Sequence, residues 1–150
     1  MTLSDRSPRL PDMHHPWRLL RAMPEWTLLF EPLDDGKLGR TDYDAKTITL
    51  DPDQLQRQRR CTIDHEIRHV ERGPAARGSW WRARDEAATD QESARRLVTI
   101  EDLAEALAWS HNLPELAEEL HVDEATVLVR LRHLHPSEQG YLRTRVEGWT

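Results

Sequence analysis

A chain of 150 residues is long enough to bury one core and short for two full domains. Its single cysteine, Cys61, excludes an intramolecular disulfide and a cysteine-built zinc knuckle, fits a reducing compartment, and leaves histidine and carboxylate as the metal donors. A formal net charge of −6, no apolar run of membrane-spanning length and no signal-like start predict a cytoplasmic protein that stays off membranes and whose surface as a whole repels nucleic acid.

Residues 1–15 are polar, proline-bearing and aperiodic, which predicts a loose tail; His14 and His15 fall there and are read as bystanders. From Pro16, WRLLRAMPEW reads as a short helix. WTLLFEPL then alternates Trp26, Leu28 and Phe30 against Thr27 and Glu31, as a strand does. After the turn residues DDGKLG, RTDYDAKTITLD sets Ile48 and Leu50 against Thr47 and Thr49, a second extended segment pairing near the first. Asp51-Pro52-Asp53 is predicted to open a helix with acidic caps that runs to Gly73-Pro74. GPAARGSWWRA reads as a loop, with Trp80 and Trp81 in it, before a helix over about 83–98. TIEDLAEALAWS, LPELAEELHV and DEATVLVRLRHLH follow as helices, with Pro136 ending the last before a short segment around Tyr141. The predicted organisation is a tail (1–15), an α+β core (16–98) and a C-terminal helical segment packed on it (99–150), one compact unit overall.

The stretch CTIDHEIRHVERG carries the chemistry. At about 100° per residue, Ile63, Ile67 and Val70 form a core stripe, Asp64 and Arg68 an i,i+4 pair facing solvent, and His65 and His69 project together from a third direction. Two imidazoles one turn apart chelate one ion, and Glu66 beside them is placed to take a proton from water, the arrangement of a hydrolytic zinc helix. A catalytic zinc needs a third protein ligand, and the next helix offers Asp85, Glu86, Asp90 and Glu92. Glu86 and Asp90 share a stripe with Ser93 and Leu97, whereas Glu92 sides with Arg96 and Asp85 stands off the stripe. Glu86 is therefore the expected third ligand, and Asp90 the residue that orients a ligand histidine through its free ring nitrogen.

With these segments in order, the chain resembles the ImmA/IrrE-like zinc metallopeptidases, in particular the short forms of actinobacterial phages and mobile elements. The resemblance runs through GRTDYDAKTITLD, RRCTIDHEIRHVERGP, DEAATDQESARRLV, LAEALAW and ELAEELHVDEATVLVRLRHLHPSEQGYL, about Trp17 to Leu142. It implies a minimal zincin-like fold, with a small sheet or hairpin, the H-E-x-x-H helix and a C-terminal helical segment. It also implies Zn2+ held by His65, His69 and a downstream acid, Glu66 as general base, and a helix-turn-helix transcriptional repressor as the protein substrate. Two features depart from the family pattern. Arg68 and Glu71 are charged where zinc-protease helices carry uncharged and apolar residues, and aligning on SARRLV puts Ala88 at the third-ligand position, two residues after Glu86.

LPELAEELHVDEATVLVRLRHL also has the outline of a helix-turn-helix, with Ala117, Val122 and Val127 at apolar spacing, so a DNA-binding regulator is a rival function. Charge opposes it: from His111 to Thr150 seven acids face four arginines, and the reading helix would open on Asp123 and Glu124. A third possibility is a catalytically inactive zincin-fold interaction module, with Arg68 and Glu71 as signs of decay.

Overall fold

The computed structural model describes residues 14–34, 36–74 and 79–150. Their elements run α1 (Pro16–Arg21), β1 (Thr27–Phe30), β2 (Gly39–Asp42), β3 (Thr47–Leu50), α2 (Gln56–Arg72), α3 (Ser79–Leu97), α4 (Ile100–Trp109), α5 (Leu113–Leu120), α6 (Glu124–Arg132) and α7 (Pro136–Arg145). The fold is α+β, and none of these helices is long and apolar enough to cross a membrane. Residues 1–13 of the expected tail lie outside the described residues, whereas His14 is tied down, its ring 2.6 Å from Asp64.

β3 is the central strand, parallel to β1 (Thr27 opposite Thr47) and antiparallel to β2 (Gly39 opposite Leu50). The β2–β3 turn is held by Asp42, whose carboxylate accepts from the amides of Asp44 and Ala45. Ile48 and Leu50 meet Ile63 and Ile67 of α2 in one core, joined by Leu28, Trp17 and Trp26. Phe30, read as an inward residue of β1, is 49% exposed at the strand's end, and Thr49, read as outward, is buried.

α2 starts at Gln56, five residues after the predicted cap. The Asp51 carboxylate is used before the helix, accepting from the amides of Leu33 and Asp53 and so fixing the turn that leads into it. α3 starts at Ser79, so Trp80 and Trp81 stand in its first turns and not in a loop. Neither residue breaks a helix. The segment after Pro136 is a full helix: Pro136 sits at the N-terminal end of α7, where a missing N–H is harmless.

The second core joins Cys61 of α2 and the end of α3 to α4–α7. Arg60 of α2 bridges into this layer. Its guanidinium donates to the carbonyls of Leu120 and His121 at the end of α5, of Leu97 at the end of α3, and of His14. A buried cation is tolerated here because its N–H groups are taken up by carbonyls at helix C-terminal ends, where the chain's own ladder runs out. α5 and α6 pack as the helix-turn-helix outline suggests, with Ala117, Val122 and Val127 fully buried, but α6 lies against α3.

Candidate metal centre

The two imidazoles do share a face of α2. Their Nε2 atoms stand 3.1 Å apart, and Glu86 of α3 reaches both, with Oε2 2.9 Å from His65 and Oε1 2.8 Å from His69. One donor atom from each of the three residues falls within 4.8 Å of the others. Each ring is held from behind by a carboxylate: Asp90 Oδ1 lies 2.9 Å from His65 Nδ1, and Asp85 Oδ2 lies 3.4 Å from His69 Nδ1. The other Asp85 oxygen is held by Arg72 Nε at 3.0 Å. Asp85, read from the wheel as standing off the stripe, therefore lies behind the second histidine, at a longer and looser distance than Asp90 behind the first. Glu92 faces Arg72 instead, at 3.0 Å.

The donor set fits a divalent cation. A carboxylate behind each Nδ1 keeps the proton there, which turns both Nε2 lone pairs and the Glu86 carboxylate onto one point. Two lone pairs at 3.1 Å repel, and a cation between them and the Glu86 carboxylate relieves that repulsion. Burial lowers the His65 pKa, but the bonds to Asp90 and Glu86 outweigh it and raise it to about 10. Hydrogen bonding to Glu86 raises that of His69, and the two histidines hold the Glu86 carboxyl far below its ordinary range. Two nitrogens and one oxygen form a set that suits zinc. Cys61 is no competitor, since burial pushes its thiol up to about 11.

Glu66 is buried beside this cluster and bonded to β2, with the Thr41 hydroxyl donating to Oε2 at 2.5 Å. Burial raises its pKa and the Thr41 bond opposes the rise. The contact depends on Gly39: a Cβ there would lie 2.6 Å from Thr62 Cγ2 and 3.0 Å from Glu66 Cγ and Oε1. Thr62 cannot swing aside, because its hydroxyl donates toward Gln54 Oε1 and the Gln58 carbonyl. Gly39→Ala should therefore push β2 off α2 and lower stability by about 1–3 kcal/mol. Gly140→Ala, in α7 with open space around it, should be neutral or stabilising by up to about 1 kcal/mol. Denaturant unfolding of the two variants checks the contrast. Tyr43, after β2, donates to the His69 carbonyl at 2.9 Å, with that of Gly73 at 3.2 Å, which seals the end of the histidine helix.

Asp64 corrects the wheel reading. It is fully buried, not solvent-facing, and accepts from Ser93 of α3 at 2.5 Å while His14 covers its other oxygen. This bond joins α2 and α3, the helices that carry the two histidines and Glu86, one residue from His65. Arg68 is likewise mostly covered and pairs with Glu71 at 3.1 Å.

No protein-family model, curated protein or solved structure matches the chain.

β2 is an edge strand beside the site. The Asp51 amide donates to the Leu38 carbonyl, so by the alternation of an antiparallel ladder Arg40 and Asp42 pair inward and the backbone groups of Gly39 and Thr41 face outward. Together with α2, α3 and the start of α6 this edge walls a groove of about 650 Å3.

Proposed function

We propose that the protein is a zinc-dependent endopeptidase, with His65, His69 and Glu86 holding the ion and Glu66 acting as general base. The observation that carries this reading is the convergence of both Nε2 atoms and the Glu86 carboxylate beside a separate, buried carboxylate that is not one of the three. When bound, zinc supplies Lewis acidity that polarises a carbonyl and makes water easier to deprotonate. The chain's own residues do the rest. Glu66 takes a proton on a carboxylate oxygen from the attacking water and returns it to the leaving amine nitrogen, so its two protonation states serve successive steps. Thr41 fixes the rotamer of Glu66, and Asp85 and Asp90 fix the rings of His69 and His65. The outward amides and carbonyls of β2 offer an extended peptide a backbone partner across from Glu66, which favours a polypeptide over a small substrate.

The sequence resemblance extends the proposal to a helix-turn-helix repressor of a phage or mobile element as the substrate. Against DNA reading by the chain itself stands the docking of α6 on α3, with Asp123, Ala125, Thr126 and Val129 turned into the groove wall.

The reading is tested on metal content. Protein purified without added metal should carry one zinc per chain, and a His65→Ala/His69→Ala double variant none while it keeps its helical signal. Glu86→Ala should lose most of its zinc affinity, whereas Asp90→Ala and Asp85→Ala should each cost about 10- to 100-fold. Equal zinc content in wild type and double variant rejects the centre. Affinity that survives Glu86→Ala and collapses in Asp85→Ala or Asp90→Ala moves the third ligand.

A further inference from the structure

The carboxylates that line the groove are all engaged. Glu66 is held by Thr41, Asp85 by Arg72, Glu86 by the two histidines, Asp90 by His65, and Asp123 caps α6 through the Thr126 amide and hydroxyl. The lining cations are different. Lys37, in the turn before β2, Arg40, whose side chain leaves the edge strand on the face opposite Thr41 and so meets a side chain of a strand added to that edge, and Arg82, one helical turn before Glu86 on the same stripe of α3, are exposed. None of their side chains pairs with another described residue. The charges left for a ligand are thus positive and stand on both walls, β2 on one side and α3 on the other, in a protein whose net charge is −6. A site that used the overall field would favour a cationic ligand; this groove opposes that field locally.

Resting on the peptidase reading, we infer that the groove selects polypeptide segments bearing aspartate or glutamate on both sides of the bond presented to the metal centre, with Lys37 and Arg40 meeting one flank and Arg82 the other.

Binding tests this without cleavage. Two fluorescein-labelled dodecapeptides, one alternating glycine with glutamate and the other glycine with lysine, are titrated at low salt by anisotropy against the zinc-loaded Glu66→Gln protein. The acidic peptide should bind at least about tenfold more tightly, and physiological salt should weaken it. A Lys37→Glu/Arg40→Glu/Arg82→Glu variant, altered only at exposed positions outside the three metal donors, should lose that preference. This separates recognition by these cations from capture of a peptide carboxylate by the metal. A tighter lysine peptide, as the net charge alone dictates, overturns the inference, and so does an acidic preference that survives the triple reversal. Retention of the preference in His65→Ala supports recognition by the cations even if wild-type protein proves to carry no zinc, an outcome that would sink the peptidase reading alone.

Discussion

Glu66→Gln should leave zinc content and fold intact and lower peptide hydrolysis by about 100- to 10,000-fold, the span general-base catalysis contributes. The substitution is nearly isosteric. The glutamine carbonyl oxygen still accepts from the Thr41 hydroxyl, so the contact between α2 and β2 survives, and burial favours a neutral group. What is lost is the ability to take a proton. Thr41→Val serves as the graded comparison: it keeps the base and removes the bond that orients it, so kcat should fall while zinc affinity holds. A Glu66→Gln protein that cleaves a protein substrate at the wild-type rate removes Glu66 from the reaction. Equal loss of zinc in Glu66→Gln would instead make it part of the metal's support.

The division between what could be read in the sequence and what could not follows the range of the interactions. His65 and His69 share a face because helical periodicity is local, and Glu86, Asp90 and Ser93 share a stripe of α3 for the same reason. The wheel failed where a second element decides. Asp64 lies near Arg68 on the wheel and looks like half of a surface pair, but Ser93 and His14 close over it, contacts 29 and 50 residues away in sequence. Asp85 looked misplaced because a wheel assigns one direction to a residue. Arg72 holds one Asp85 oxygen and the other reaches His69. Thr41 and Gly39 carried no signal, since their roles exist only once β2 crosses α2, although a glycine entering a strand is a recognised mark of close backbone approach. The overlong α2 and the misread Pro136 share a cause: Asp and Pro punctuate turns and helix starts alike, and the Asp51 carboxylate bonds within the turn while Pro136 begins α7.

The largest loss of stability should come outside the His65, His69 and Glu86 cluster, at Glu138. Its carboxylate accepts from Arg130 of α6 through both guanidinium ends, from Arg95 of α3 at 2.8 Å and from the His135 amide at 3.1 Å, so one side chain fastens α3, α6 and α7 together. Arg130 is only 2% exposed, and its remaining nitrogen donates to the Val98 carbonyl at 2.7 Å. Glu138→Ala strands that guanidinium in the interior without its counter-charge, which should cost about 3–5 kcal/mol, a large part of what a domain of this size possesses. The bond to Arg130 holds the Glu138 carboxyl down at about 2, against an ordinary value of 4.5. A depressed carboxylate stabilises fully above the unfolded-state pKa and loses its contribution as pH falls from there toward the folded-state value. Wild-type stability should therefore decline between about pH 4.5 and 2 through this group, and the decline should shrink in Glu138→Gln, which cannot titrate. Replacing both partners by apolar residues, as in Arg130→Met/Glu138→Leu, should recover much of the loss, since no charge is then left unpaired. Urea unfolding of the single and double variants decides the matter. If Glu138→Ala costs no more than the about 1 kcal/mol of an exposed ion pair, the three helices are held by their apolar contacts alone.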